Sequence, residues 1–271
     1  MLGGRQEIKD ILLANLITSN VGVMKSTANV IAEIAAIEIS RKEWLDIINL
    51  LAQNSMHSDI NVKRASITTL GYVCEEIKTV SCNVPNEYCE QILGSLLLGL
   101  REQGDIAETS LTAIRNSIVF LGSLLENADC CNQTFNILLP YLNSDYCEKV
   151  YQILFEFGKT CYHLLGNYIG EILNKTVEHI QQRNGNTLLA LEFWDTVGTE
   201  YLRRYDEAQE LVYNKGMNDR NYIEELHKTL LPEVMASILI LSESDKDFPE
   251  MREGAVKTLS TFVSCCGINL V

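Results

Sequence analysis

The stretch Asp59-Ile60-Asn61-Val62-Lys63-Arg64-Ala65 decides how this chain is read. An aspartate able to cap a helix is followed by an aliphatic residue, two basic residues and a small one. Continuing from Val62, the positions Ala65, Leu70, Val73, Cys74 and Ile77 recur in steps of about three and four, the spacing of one helix face. The aspartate can accept a hydrogen bond from the first unpaired N–H groups of that helix, and a basic residue after it can reach an adjacent element. The arrangement returns as Pro249-Glu250-Met251-Arg252-Glu253-Gly254-Ala255, and more loosely as Val23-Met24-Lys25-Ser26-Thr27-Ala28.

Outward from these segments the spacing stays helical. Ile8, Ile11, Leu12 and Leu16 form a stripe near the start, and Met251, Ala255, Val256, Leu259, Phe262 and Val263 form one near the end. The breaks carry turn chemistry: Thr18-Ser19-Asn20, 54–59, 83–86, 127–129, 143–145 and Asn184-Gly185-Asn186. About a dozen helices result, and they pair. The first members are expected over 44–54, 88–101, 134–142, 168–180 and 222–241, each followed by a second helix rich in small residues. About six pairs give a period of roughly 45 residues, within the range of two-helix solenoid repeats. One hairpin cannot bury both of its faces, and stacking it on neighbours does so. The expected fold is therefore all-α, an α-α superhelix in a single domain over 1–271, with repeats near 5–39, 41–79, 86–126, 130–165, 167–213 and 220–266.

Composition agrees. Four prolines and 16 glycines in 271 residues are too few for the frequent turns of an all-β protein. Lys and Arg number 22 against 36 Asp and Glu, a formal charge of −14, which disfavours a nucleic-acid partner and suits basic proteins. The longest apolar run, Ile92 to Leu100, contains Gly94, Ser95 and Gly99 and falls short of the ~20 residues that span a bilayer. The opening Met1-Leu2-Gly3-Gly4-Arg5 does not read as a secretory leader. Nine cysteines, an odd number scattered among apolar positions, fit reduced thiols of the cytosol or nucleus.

Enzyme chemistry is not expected. Gly3-Gly4-Arg5 lacks the spacing of a phosphate loop, and no Gly-x-Ser-x-Gly or His-Glu-x-x-His motif occurs. The four histidines are scattered. Cys82 and Cys89 are too far apart for a zinc knuckle, and adjacent Cys130-Cys131 and Cys265-Cys266 are poorly placed to share one metal. No cofactor and no metal are expected.

Several stretches resemble a known family. The Asp59–Ala65 pattern is similar to the second helix of a HEAT repeat. The run from Val30 to Ile39 followed by Trp44, Leu70-Gly71-Tyr72-Val73-Cys74, Ala190-Leu191-Glu192-Phe193-Trp194 and Leu230-Leu231-Pro232 resemble the importin-β family of nuclear import receptors. In order and spacing they are similar to its third to eighth repeats, about a third of a full-length receptor. The resemblance implies no catalysis but reversible binding of partners: phenylalanine-glycine (FG) nucleoporins, basic cargo or an importin-α-type adaptor, and Ran carrying GTP. It implies nucleoporin pockets between first helices on the convex face, at Leu93 and Leu97, Phe135 and Leu138, and Tyr168 and Ile172; the pattern departs from the family at Gly94 and Asn136. The inner face, formed by second helices, offers Glu192, Asp195, Glu200, Asp206, Glu207 and Glu210 to a basic partner. The loop Glu243, Asp245, Asp247, Glu250, interrupted by Lys246, corresponds to the family's acidic loop. Ran-GTP binding is expected to be weak or absent, since the family's main contacts lie partly in repeats with no counterpart here. A protein of this family works in the cytoplasm, the nucleus and the nuclear pore. The alternative is a HEAT-repeat scaffold subunit of a phosphatase or cytoskeletal complex.

Overall fold

Side-chain caps mark where three of the helices begin. The structure, a computed structural model, describes residues 2–80, 84–215 and 249–268. Asn20 Oδ1 accepts from the Gly22 and Val23 N–H groups at 3.1 Å, Asp59 Oδ1 from Asn61 at 2.7 Å, and Asn127 Oδ1 from Asp129 and Cys130. Each side chain supplies an acceptor to donors that have no partner inside the helix. The helices are α1 (Leu2–Leu16), α2 (Val21–Ser40), α3 (Asp46–Asn54), α4 (Ile60–Ile77), α5 (Asn86–Leu100), α6 (Asp105–Leu125), α7 (Ala128–Leu138), α8 (Cys147–Thr160), α9 (Ile169–Gln182), α10 (Asn186–Lys215) and α11 (Pro249–Ile268). Short 3-10 turns occupy Lys78–Val80, Leu139–Asn143 and Tyr162–Asn167. There is no strand among the described residues.

Two boundaries differ from the sequence reading. The helix expected over 134–142 starts at Ala128, because Asn127 caps it and the exposed Asn132 and Gln133 side chains cost the helix little. It ends early, where Pro140 sits within a 3-10 turn. The helix expected over 222–241 lies outside the described residues.

The chain divides into two compact units, 1–137 and 138–271. In the first, α1 packs on α2, α3 on α4 and α5 on α6, while α2, α4 and α6 lie in succession. Ala28, Ala32 and Ala35 on α2 and Ala65 on α4 are fully buried, and small side chains of this kind allow close helix approach. At Gly71 the helix backbones come close, and an added Cβ would stand 2.8 Å from both Cα and Cβ of Ala113 on α6. At Gly99 an added Cβ would stand 2.2 Å from the Ser110 hydroxyl. The row of second helices is also stitched by charge. Lys63 pairs with Glu102, Arg64 with Asp105 at 2.9 Å, and Asn116 donates to Glu75 at 2.8 Å. The basic residues after the Asp59 cap do reach the next hairpin.

The first hairpin has its own buried ion pair. The Lys9 ammonium meets Glu38 and lies 4.3 Å from the centre of the Trp44 ring, joining α1, α2 and the approach to α3. The attraction to the ring face offsets part of the cost of burying the charges.

In the second unit, α10 packs against α8, α9 and α11. Polar side chains lie at its centre. Tyr151 Oη and His179 Nδ1 form a hydrogen bond of 2.8 Å between α8 and α9, and Trp194 Nε1 donates to Thr176 Oγ1 at 2.9 Å between α10 and α9. Thr187 Oγ1 donates to the His179 carbonyl at 2.8 Å. Arg183, in the left-handed region at φ 51°, ends α9.

Candidate binding sites

Two surfaces follow from the sequence: the outer face of the first helices and the acid-bearing faces of the second. On the first, α5 is set by its apolar stripe, with Ile92, Leu96 and Leu100 wholly buried. Leu93 and Leu97 belong to the same buried side. What solvent meets on α5 is the ridge Glu90, Gln91, Gly94 and Leu98, with Leu98 46% exposed. At Gly94 an added Cβ would meet nothing within 4 Å, so the helix surface is open there. One end of this ridge, at Glu90, lies near α7. Glu90 lies close enough to Cys130 for its charge, together with that of Asp129, to add to the effect of burial in raising the thiol pKa. Phe135 and Leu138 are fully buried, and Asn136 is exposed. On α9, Ile172 is fully buried, and Tyr168, just before the helix, is nearly so.

All six expected nucleoporin contacts therefore face inward. None of the six offers its side chain to solvent. What α5 presents beside them is Gly94 and Leu98. Leu98 was missed in the sequence, although it stands off the stripe defined by Ile92, Leu96 and Leu100.

The acidic residues divide by partner. Asp195, nearly buried, accepts from Thr261 Oγ1 at 2.6 Å and pairs with Lys257 at 2.8 Å, both on α11. Asp195 thereby raises the pKa of the Lys257 amine, through the hydrogen bond first and the charge second. Burial opposes ionisation of Glu200, but hydrogen bonds from Arg203 at 2.6 Å and Arg204 at 2.7 Å outweigh it and hold the carboxyl below its usual range. Glu207 pairs with Arg203. Glu192 and Asp206 are exposed, and Glu250 is exposed in the first turn of α11, where negative charge suits the helix dipole. Glu210 lies on α10, its side chain outside the described residues, as are Glu243, Asp245 and Asp247 altogether. Trp194 is a core residue, edge-on to Phe193 with ring centres 5.2 Å apart.

Among the described residues no group of three or more His, Cys, Asp or Glu could hold a metal ion, and no helix is long and apolar enough to cross a membrane. Cys74, Cys89, Cys130, Cys131, Cys147, Cys161 and Cys265 are in no disulfide. Burial pushes the Cys147 thiol up to about 11, against the reactive thiolate state.

Comparison with known proteins adds what the geometry alone leaves open. No protein-family model matches the chain. Importin subunit beta-1 of Arabidopsis thaliana is 26% identical over 279 residues, taking in 97% of this chain and 31% of its own length. Its counterpart in Schizosaccharomyces pombe is 25% identical over 262 residues, with 90% and 29% covered. Among solved structures, importin β crystallised from ammonium sulfate superposes with a TM-score of 0.77 at 20% identity, covering 95% of this chain and 31% of that one. The chain is similar to importin β. Kap95 solved as a complex with Nup1 superposes with a TM-score of 0.75 at 21% identity over 95% of this chain and 31% of its own. These likenesses bear out the all-α HEAT-type fold of about six repeats. The chain spans about a third of the length of the importin β relatives it matches.

Proposed function

We propose that this chain acts as a nuclear transport receptor of the importin-β kind, by reversible binding and not by catalysis. Its likeness to importin subunit beta-1 of three organisms, over nine-tenths or more of the chain in each case, is the observation that carries this reading. FG-nucleoporin segments dock on the first-helix face, with a phenylalanine received beside Gly94 and Leu98 over the floor of Leu93, Leu97 and Phe135. Similar depressions involve Leu138, Tyr168 and Ile172. Among the solved neighbours, one is a complex of Kap95 with Nup1 and another concerns Kap95p bound to RanGDP, and both support partners of this type. Burying one phenylalanine contributes only about 1.5–3 kcal/mol, which suits rapid release.

Basic cargo or an importin-α-type adaptor binds the second-helix face. There Glu192 and Asp206 are the available carboxylates, with Glu210, Glu243, Asp245, Asp247 and Glu250 extending the charge. Asp195, Glu200 and Glu207 contribute less, since each already pairs with a cation. Ran-GTP binds weakly or not at all. The protein works in the cytoplasm, the nucleus and the pore.

The test is a titration of an isotope-labelled Phe-Gly repeat peptide, followed by NMR, with Leu98→Asp and Gly94→Gln alongside. Both positions are open to solvent, so the fold is retained. Wild type should shift the peptide phenylalanine signals, and each variant should weaken binding by about tenfold, equivalent to ~1.4 kcal/mol. Unchanged peptide spectra with wild type would overturn the reading in favour of a HEAT scaffold. Submicromolar calorimetric affinity for Ran-GTP would overturn the Ran statement alone.

A further inference from the structure

Asn184-Gly185 is the one Asn-Gly step in the sequence. It lies in the turn between α9 and α10, just after Arg183 enters the left-handed region, and both residues are exposed. Asn184 holds the start of α10 through two acceptors. Its Oδ1 takes the Asn186 N–H at 2.9 Å, and its carbonyl takes the Thr187 N–H at 3.0 Å. The N–H between those residues, that of Gly185, donates to no acceptor among the described residues. A Cβ added at Gly185 would meet nothing within 4 Å, so the turn is uncovered there. The glycine nitrogen is therefore a free nucleophile next to the Asn184 amide carbon, with no side chain of its own to hinder approach.

Other asparagines of the chain lack one of these conditions. Asn54 and Asn143 also precede a small residue, but the Ser55 N–H is bonded to the Leu51 carbonyl at 2.9 Å and the Ser144 N–H to the Tyr141 carbonyl at 3.1 Å. Asn20 and Asn127 cap helices as Asn184 does, yet Val21 and Ala128 follow them, each with a Cβ and the valine branched at it. Electrostatics at Asn184 favour the reaction as well. The positive end of the α10 dipole supports loss of the amide proton and any carboxylate formed there, and the first turn of α10 contains no acid to oppose it.

We propose that Asn184 is a site of spontaneous modification, at which this chain converts its own asparagine to aspartate and isoaspartate. Hydroxide takes the Gly185 N–H proton, and the nitrogen attacks Cγ of Asn184. The N–Cγ bond forms, the Cγ–Nδ2 bond breaks, and Nδ2 takes up a proton from water and leaves as ammonia. A succinimide ring remains, and water opens it at either carbonyl. Breaking the N–Cγ bond gives aspartate; breaking the original peptide bond gives isoaspartate, with the chain now running through Cγ. Aspartate keeps an oxygen for the Asn186 N–H and adds a negative charge to the helix that carries Glu192 and Asp206. Isoaspartate lengthens the backbone by one carbon in the turn before Thr187, whose hydroxyl ties α10 to the His179 carbonyl.

The test incubates the full chain for days in mildly alkaline buffer, folded and in guanidinium chloride. Pepsin digestion in acid, where ring closure is slow, precedes mass-spectrometric mapping. Isoaspartate is counted with protein isoaspartate methyltransferase and labelled S-adenosylmethionine. In the folded chain residue 184 should convert first, with isoaspartate in the same peptide. Asn54 and Asn143 should stay intact until denaturant frees the serine N–H groups. Gly185→Ala, at an uncovered position, should slow conversion at least about tenfold by adding a Cβ beside the nucleophile, with circular dichroism confirming the fold. An unchanged residue 184 in the folded chain overturns the proposal. So does conversion as fast in Gly185→Ala as in wild type, or folded-state conversion at Asn143 or Asn54 ahead of Asn184.

Discussion

The two units solve the same packing problem with different chemistry. In 1–137 helices meet through missing side chains: Gly71 admits the backbone of Ala113 between two second helices, and Gly99 admits Ser110 within the α5–α6 hairpin. In 138–271 they meet through hydrogen bonds. Thr258 Oγ1 donates to the Leu191 carbonyl at 3.2 Å, Thr261 to Asp195 at 2.6 Å, Cys265 to the Gly198 carbonyl at 3.5 Å, and Tyr151 meets His179. Shape closes one unit, and polar partners tie the other. A seam closed by shape tolerates no added volume, while a seam closed by hydrogen bonds is sensitive to the loss of a donor or to protonation.

The largest effect should come from adding one carbon to the first seam. At an open helix site Gly→Ala stabilises by about 1 kcal/mol. Gly71→Ala should instead destabilise by about 1–3 kcal/mol, because the new carbon overpacks against a backbone atom. Urea unfolding measures the sign, and Ala113→Gly in the same chain should recover part of the loss. A stabilised Gly71→Ala would show that the helices can move apart without cost.

The second unit should respond to acid. Burial lowers the pKa of His179 below 6.5; Lys175 acts in the same direction and Glu178 against it. The unfolded imidazole takes up a proton as pH falls through about 6.5, and the folded one resists until a lower pH. Stability tied to His179 is therefore full above that pH and is lost as pH falls from about 6.5 towards the folded value. Urea midpoints taken across this range should fall for wild type, and His179→Gln should flatten the slope. An identical slope in the variant would remove His179 from the account.

The smallest effects belong to the outer stitching of each seam. Thr261→Ala should cost about 0.5–1.5 kcal/mol, because it leaves nearly buried Asp195 short of a donor. Arg64→Met should cost about 0–1 kcal/mol, since Asp105 is largely exposed, and that loss should fade in high salt. Unfolding of both variants at low and high salt separates the two kinds of tie.

The fold was legible in the sequence because it depends on local signals. Asn20, Asp59 and Asn127 mark helix starts, and stripe spacing marks the helices themselves. The reach of Lys63 and Arg64 to the next hairpin could also be read, since the repeat length places Glu102 and Asp105 opposite them. The binding residues were harder to read. Leu93, Leu97, Phe135 and Ile172 are apolar residues at helical spacing, and spacing cannot tell an inward stripe from an outward one. The acids posed a similar difficulty: Asp195 reads as an available charge until Lys257 and Thr261, more than sixty residues away, are folded against it. Position on a helix is encoded nearby in the chain, whereas what a side chain faces depends on residues far from it.

The sequence contains two tryptophans, and each unit holds one. Trp44 lies under the Lys9 ammonium, and Trp194 is hydrogen-bonded within the core of its unit. Emission from a Trp44→Phe chain would follow residues 138–271 alone, and from a Trp194→Phe chain residues 1–137 alone. The protein thus carries a built-in pair of fluorescent reporters, able to show whether its two halves melt together or one after the other.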